Sequence, residues 1–298
     1  MPNLKHALKA RLAQPGLIVA PGVFDMVSLR LADAFGFDAL YMSGFGTVAS
    51  HLGLPDAGLA TYSDMLGRVT AMAAMAQTPL IADADTGYGG LLNLRHTVRG
   101  YEAAGAAAIQ LEDQEFPKKC GHTPGRRVIA MTDMVAKIRV ATDARDSPDF
   151  LVIARTDARS ALGLEEALRR AEAYARAGAD VLFVESPESI DEMRRIGSAF
   201  DLPLVANMVE NGRTPVLTRA ELESIGYKIA IFPVSGLLAA LHSMTSVYRK
   251  LKVNGSTKGI DVPLADFSEL TKLMGFEDIW EFEKRYAEPV VAQQGEEK

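Results

Sequence analysis

A (β/α)8 barrel is the fold class this sequence predicts, and three observations predict it. Eight short, continuous apolar runs recur along the chain, at residues 17–20, 39–42, 80–83, 108–111, 151–154, 181–184, 204–206 and 229–232. Continuity rather than alternation marks parallel strands buried on both faces. Segments of helical period lie between them. In 164–177, Ala167, Leu168, Ala171, Tyr174 and Ala175 share one face, Arg and Glu cover the other, and Gly178 is a fitting stop. The helix-to-strand join is also repeated, since Ala104-Gly105-Ala106 and Ala177-Gly178-Ala179 each stand just before an apolar run. Eight such units make a barrel. A doubly wound open sheet is the alternative, because the same local pattern serves both.

Taken in order, the chain opens on an amphipathic helix start, Met1-Pro-Asn-Leu-Lys-His-Ala-Leu-Lys-Ala-Arg11, without a signal-peptide core. The first run leads through a Pro-Gly turn to Asp25, and the second into Ser43-Gly44-Phe45-Gly46. The third ends in Asp83-Ala84-Asp85, the fourth in Glu112-Asp113, the fifth in Arg155 and Asp157. Glu185, Asn207 and Ser235 follow the last three. Barrel active sites lie at the C-terminal ends of the strands, so this regular placement of polar groups reads as an enzyme. The Met-rich segment 65–75 and Trp280 read as core or subunit contact, and residues 293–298 as a polar tail. Without a low-complexity linker or a short internal repeat, residues 1–298 read as one barrel domain with a C-terminal helical extension.

Composition narrows the class. At 298 residues and 48% hydrophobic the chain can bury one large core. A net charge of -6 and the lack of a basic stripe argue against a nucleic-acid partner. No apolar run approaches the roughly 20 residues that span a bilayer, so no membrane partner is expected. A single cysteine precludes an internal disulfide and fits a reducing cytoplasm.

That cysteine stands in the most informative loop, Phe116-Pro-Lys118-Lys119-Cys120-Gly121-His122, directly after the acids of the fourth run. Nearby lysines favour the thiolate form of a thiol; the plain alternative is a solvated loop with an incidental cysteine. Asp83, Asp85 and Glu112 can converge on a hard cation, with Asp56 in the outer shell through water. Oxygen-only donors favour Mg2+, or Mn2+, over zinc. A single Asp at such a turn is more often a helix cap, but three or four acids on one barrel face are not. The Ser43-Gly44-Phe45-Gly46 turn can offer backbone N–H groups to a carboxylate. Arg155 can grip a carboxylate bidentately, or pair with a neighbouring acid.

These residues resemble a known family. Asp83-Ala-Asp-Thr-Gly-Tyr-Gly-Gly90, Leu111-Glu-Asp-Gln114, Lys118-Lys-Cys-Gly-His122 and Ala154-Arg-Thr-Asp157 look like the isocitrate lyase and phosphoenolpyruvate mutase superfamily, over roughly 17–287 of the chain. The Lys-Lys-Cys-Gly-His motif is specific for its carbon–carbon lyase branch. Phosphoenolpyruvate mutases usually carry Asn where this chain has Cys120, and the related oxaloacetate decarboxylases lack that cysteine. The resemblance implies a barrel whose last helix is exchanged with a neighbouring subunit, in a homotetramer. It implies Mg2+ held at Asp83 and Asp85, with Asp56, Glu112 and Lys118 around it. It places the carboxylate of a 2-oxo acid fragment at Ser43, Gly44 and Phe45, with Arg155. Glu185, Asn207 and the loop 208–212 border the other half of the substrate, and Cys120, beside Gly121, sits on a closing loop.

The chemistry implied is cleavage of a small 2-hydroxy dicarboxylate. Mg2+ binds the hydroxyl and adjacent carboxylate and polarises the incipient carbonyl. Tyr41 or a metal-bound acid takes the hydroxyl proton, and Cys120 protonates the enediolate left after C2–C3 cleavage. His122 tunes the thiol or anchors the loop. Methylisocitrate lyases place an Arg where this chain has Leu238 and another near the position of Phe267, and a smaller residue where it has Phe45. A third carboxylate left without its cation is costly to desolvate. The loop Ala206-Asn-Met-Val-Glu-Asn-Gly-Arg-Thr-Pro215 also looks like that of dimethylmalate lyases and their plant relatives. The expected activity is therefore a 2,3-dimethylmalate lyase-like reaction giving pyruvate and propionate. Alternatives are a methylisocitrate lyase giving pyruvate and succinate, an oxaloacetate decarboxylase, a phosphonomutase, and a non-catalytic binding protein.

Overall fold

Each of the eight apolar runs carries a strand. The computed structural model describes residues 3–121 and 125–287. Its elements are α1 Leu4–Leu12, β1 Ile18–Val23, α2 Met26–Ala34, β2 Leu40–Met42, α3 Gly44–Leu52, α4 Tyr62–Met75, β3 Leu80–Asp83, α5 Leu91–Ala104, β4 Ala108–Glu112, α6 Met131–Ala144 and β5 Leu151–Thr156. There follow α7 Ala158–Leu162, α8 Leu164–Arg176, β6 Val181–Val184, α9 Ile190–Gly197, β7 Val205–Asn207, α10 Arg219–Ile225, β8 Ile229–Phe232, α11 Ser235–Asn254, α12 Phe267–Leu273 and α13 Phe276–Tyr286. All strand pairings are parallel, in the order β6-β5-β4-β3-β2-β1-β8-β7. A parallel bridge between Leu182 and Leu204 joins the two ends of that sheet, with the Leu182 N–H donating to the Pro203 carbonyl at 3.0 Å. The sheet closes, and the open-sheet alternative falls.

Because side chains alternate along a strand, each apolar run feeds two cores. Leu80, Ala82, Ile109, Leu111, Val152 and Ala154 face the helices. Ile81, Ala108, Leu151, Ile153, Val181 and Phe183 fill the barrel interior. Leu8 of α1 belongs to the interior cluster, with Leu12 packed against it. Local chemistry sets the helix ends. Asp25, which follows the first run, forms a capping box with Ser28: its carboxylate accepts the Ser28 N–H at 2.7 Å. Its part is structural. The Ala-Gly-Ala joins need left-handed backbone, with φ of 102° at Gly105 and 107° at Gly178.

The chain divides into two compact units, residues 1–242 and 243–298. The first is the barrel. In the second, neither α12 nor α13 buries a residue, and Phe267, Trp280, Phe282 and Tyr286 are more than half exposed. No helix among the described residues is long and apolar enough to cross a membrane.

Candidate active site

The pleat that directs Ile81, Ala108, Ile153, Phe183 and Val205 inward directs the residues two places on the same way. Asp83, Gln110, Glu112, Arg155, Glu185 and Asn207 thus arrive at the C-terminal mouth of the barrel, beside Tyr41 and Ser43 from β2 and its end. A cavity of about 300 Å³ opens there. Tyr41, Ser43, Phe45, Asp56, Asp83 and Glu112 line it, with Cys120, Gly121, Arg155 and Asn207. Val209, Ile231, Pro233, Val234, Leu237 and Leu238 form its apolar wall. Asp85 and Glu185 are buried close by, but do not line the cavity.

The acids gather around a lysine. Lys118 Nζ lies 2.7 Å from Asp85 Oδ1 and in still closer contact with Asp56. The Asp85 N–H donates to Asp83 Oδ1 at 3.0 Å, and Gln110 Nε2 donates to the same oxygen at 3.3 Å. Burial pushes the Asp85 carboxyl up; Lys118 opposes this, Asp83 and Asp56 add to it, and the outcome is about 7. Burial likewise pushes Glu112 well above the usual carboxylate range, against the pull of Arg155 and Lys118. For Lys118 burial works against the charge, but the acids outweigh it and hold the ammonium well above its ordinary range.

Does this group suit a divalent cation? As the side chains lie, no three His, Cys, Asp or Glu among the described residues stand in cation-binding geometry. The donor chemistry does fit one. Glu112 Oε1 is buried without a hydrogen-bond partner among the described residues. Asp56, Asp83, Asp85 and Glu112 are all at most 9% exposed, with one lysine among them. Buried anions in excess of their cations are costly, and oxygen donors of this kind suit a hard ion.

Tyr41 donates to Gln110 Oε1 at 2.8 Å and, more loosely, to Asp83 Oδ2 at 3.4 Å. Burial, with Asp83 beside it, holds the phenol well above its ordinary range. Here it is a hydrogen-bond donor. Arg155 both lines the cavity and pairs with acids. Its Nε and Nη2 each donate to Asp157 at 2.9 Å, Nη1 lies 3.4 Å from Glu185, and its plane sits over Phe183. Asp157 also accepts from Arg126 at 2.6 Å. Glu185 accepts from Ser186 Oγ at 2.9 Å and from Asn207 Nδ2 at 3.1 Å.

Ser43 is the N-cap of α3, accepting the Gly46 N–H at 3.2 Å, so the helix starts at the pocket wall with its first-turn N–H groups. A Cβ at Gly44 would lie 2.6 Å from Asp83 Oδ2, so only glycine lets this turn approach the acids. Cys120 is half-buried and faces the cavity. Its loop is held by groups the sequence reading passed over. Gln114 grips the Lys119 backbone in both directions, at 2.8 and 3.0 Å, and Ser186 Oγ donates to the Gly121 carbonyl at 3.0 Å. Gln110 and Gln114 carried one faint signal, a lone amide inside or just after an apolar run. Arg126 gave none. His122 lies outside the described residues.

Similarity to known proteins agrees with this geometry. The family model described as phosphoenolpyruvate phosphomutase matches residues 8–252. The 2,3-dimethylmalate lyase of Eubacterium barkeri is 47% identical over 285 residues, 96% of this chain and 99% of that one. The 2-methylisocitrate lyase of Aeropyrum pernix is 42% identical over 281 residues, 94% and 89% of the two chains. A crystal structure of 2,3-dimethylmalate lyase, a PEP mutase/isocitrate lyase superfamily member, superposes with a TM-score of 0.90 at 37% identity, covering 100% of each chain. Phosphonopyruvate hydrolase, solved with oxalate and Mg++, gives a TM-score of 0.86 at 33% identity over 96% and 100% of the chains. With its closed parallel barrel, its acids at the C-terminal mouth and its cysteine loop beside them, the chain belongs to the phosphoenolpyruvate mutase/isocitrate lyase superfamily, among its carbon–carbon lyases.

Proposed function

We propose that the protein cleaves a 2,3-dimethylmalate-like 2-hydroxy dicarboxylate to pyruvate and propionate. The observation that carries this reading is the composition of the pocket. Acids, Lys118 and Arg155 line one side, and an apolar wall that includes Leu238, interrupted by Glu210, lines the other. A methyl-bearing dicarboxylate suits that division better than a tricarboxylate, whose third carboxylate would meet the apolar wall.

Mg2+, with Mn2+ able to replace it, belongs at Asp83 and Asp85, with Asp56 and Glu112 around it; when bound it supplies Lewis-acid polarisation of the hydroxyl and carboxylate oxygens. The start of α3, at Ser43, Gly44 and Phe45, receives the carboxylate of the pyruvate half, and Arg155 orients it from a frame fixed by Asp157 and Glu185. One of the acids takes the hydroxyl proton, since Tyr41 already donates its own to Gln110. The O–H electrons become the carbonyl and the C2–C3 bond breaks. Its electron pair goes to C3, giving the enediolate of the second acid. Cys120 Sγ–H then protonates C3, and the thiolate regains its proton from solvent. Gly121, Glu185 and Asn207 border that half of the substrate.

The methylisocitrate lyase reading has one observation in its favour, the 42% identity to the Aeropyrum pernix enzyme. Cys120 speaks against a phosphonomutase. We place the enzyme in the cytoplasm, as one barrel domain with a C-terminal helical extension. The unburied faces of α12 and α13 support a homotetramer in which a second copy covers them. The test is pyruvate release, coupled to lactate dehydrogenase, from 2,3-dimethylmalate, other 2-alkylmalates, methylisocitrate, isocitrate and oxaloacetate, with Mg2+ and after chelation. Metal-dependent cleavage of the alkylmalates, with methylisocitrate near background, is expected. The reverse preference would overturn the dicarboxylate reading.

A further inference from the structure

The turn after β3 leaves ordinary backbone at the acids themselves. Asp85 and Tyr88 have φ of 49° and 57°, a left-handed conformation that side chains disfavour. Such a conformation persists only where its surroundings hold it. Three successive peptide groups around Asp85 are each tied. The Asp85 N–H donates to Asp83 Oδ1 at 3.0 Å, and the Asp85 carbonyl accepts the Glu112 N–H at 2.9 Å. The Thr86 carbonyl accepts from Lys137 Nζ at 2.8 Å. Further along the turn, Thr97 and Tyr101 of α5 reach the Gly87 carbonyl at 3.2 Å and the Tyr88 hydroxyl at 3.0 Å. Lys137 is the one ionisable group among these ties that the chemistry above leaves unused. It stands in the middle of α6, a helix seated in the core by Met134, Ile138 and Ala141. Burial pushes its ammonium below the ordinary range, against the pull of Glu112, Asp133 and Asp113. A lysine drawn inward at that cost, to meet one backbone carbonyl, is not an ordinary surface residue of an outer helix.

We propose that Lys137 is a positioning residue: by pinning the Thr86 carbonyl it holds Asp85 in the left-handed backbone that turns its carboxylate to the acid group. The inference rests on the reading of Asp83 and Asp85 as the seat of a divalent cation. Asp83 is fixed by β3, where it pairs with Gln110 across the sheet. Asp85 lies beyond the strand, and its aim depends on the turn. Two of the three ties around it come from Asp83 and Glu112, which are members of the acid group and shift when that group rearranges. The third comes from α6 and stays in place. The charge of Lys137 gives a different expectation from its position. An ammonium near the acids repels a divalent cation, so charge alone weakens metal binding, whereas a correctly aimed Asp85 strengthens it. The two roles act on metal affinity with opposite sign.

The experiment measures Mn2+ binding, read from the free-ion signal in electron paramagnetic resonance. It compares the wild type, Lys137→Met, Lys137→Arg and Asp85→Asn, with thermal melting as the check on folding. Loss of a group that orients a metal ligand ordinarily weakens metal binding by about ten- to a hundredfold. In K137M the Mn2+ Kd should therefore rise by at least about tenfold. In K137R the donor to the carbonyl remains, so the Kd should stay within a few-fold of wild type. The Mg2+ concentration that half-saturates pyruvate release should move in step, with kcat at saturating Mg2+ largely kept. Tighter Mn2+ binding in K137M would mean that Lys137 acts through its charge, and would overturn the proposal. So would equal weakening in K137M and K137R. Lys137→Ala, read the same way, stands in should K137M misfold. A wild type that binds Mn2+ no better than D85N would remove the metal reading and this inference with it. A wild type that binds Mn2+, beside a folded K137M that binds it equally well, would remove the inference alone.

Discussion

The seat of the cysteine loop leaves no room for a side chain at position 121, and Gly121→Ala tests that seat directly. A Cβ there would lie 2.4 Å from Arg155 Nη2, 3.0 Å from Glu185 Cδ and 3.1 Å from Glu185 Cγ. The end of an arginine ordinarily swings aside at little cost. This one is fixed by paired hydrogen bonds of 2.9 Å to Asp157 and by the Phe183 ring beneath it. Restoring an ordinary contact of about 3.5 Å requires a displacement of about 1 Å, either of the loop that carries Cys120 or of Arg155. Both belong to the proposed chemistry, and a misplacement of that size costs on the order of a hundredfold in rate, or about 2.7 kcal/mol. Gly121 is not among the positive-φ glycines, so alanine carries no backbone strain and the effect is steric alone. The assay pairs initial rates of pyruvate release at saturating substrate with thermal unfolding. A fall in kcat of about a hundredfold, with Tm essentially unchanged, is expected. A variant that melts like wild type and turns over within threefold of it would refute the argument that this contact positions the acid.

Cys120→Ser should lower turnover by at least about a hundredfold with little change in KM, the usual floor for loss of a general acid; near-normal turnover removes the cysteine from the mechanism. Asp113→Asn should destabilise the barrel by about 1–3 kcal/mol in urea unfolding, because it removes the carboxylate that accepts from Arg170 at 3.0 Å and from Tyr174 and Thr156, although Arg170 keeps Glu166 at 2.9 Å; unchanged stability would deny the carboxylate that weight. Burial alone would raise Asp157, but Arg155 and Arg126 outweigh it and hold the carboxyl below its ordinary 3.8. The depressed carboxyl contributes stability that is complete above that ordinary value and lost as pH falls through the lowered one. Unfolding free energy should therefore decline on acidification below about pH 4, and a flat profile from there to about pH 2 would contradict the ion pairing. Removing divalent metal with a chelator should abolish turnover and readdition of Mg2+ should restore it; full activity in chelator would sink the proposed role of the acid group.

The strands were legible because burial on both faces leaves a continuous apolar signature. Where they differ from the sequence reading, the cause is local. β1 runs on through Pro21 and Gly22 to Val23, although a Pro-Gly pair by itself signals a turn. Gly22 pairs with Tyr41 in the sheet, and a Cβ there would lie 2.3 Å from the Pro233 carbonyl oxygen, so that glycine serves a close approach rather than a bend. β5 continues past Ala154 through Arg155, because an inward-pointing charge at the barrel mouth has three acids to meet. The positions of the site residues were legible because strand ends are. Their division of labour was not. Glu112 and Asp113 look like one pair of acids, but the pleat sends them to opposite faces. Glu112 goes to the cavity, while Asp113 goes outward to Tyr174, Thr156 and Arg170. Gln114, which holds the cysteine loop, left only the faint signal of a lone amide after an apolar run, and Arg126, which holds Asp157, left no pattern in the chain.

The same lesson applies to the two lysines beside Cys120. In the sequence they stand together, and both look like cations placed to acidify the thiol. In the structure, Lys118 is buried against Asp56 and Asp85. Lys119 donates from its Nζ to the Gly125 carbonyl at 3.1 Å, while its backbone is clamped by Gln114. One lysine stabilises the acid group and the other shapes the loop. This division suits a proton donor better than a nucleophile. A thiol that is to protonate carbon must hold a proton beforehand, and cations aimed at its sulfur work against that. Lys118 also compensates buried carboxylate charge around the place proposed for Mg2+, on the same short segment that delivers Cys120. One segment thus brings both the charge balance of the acids and the proposed acid of the last step, which gives a physical reason for lysine and cysteine to stand two residues apart.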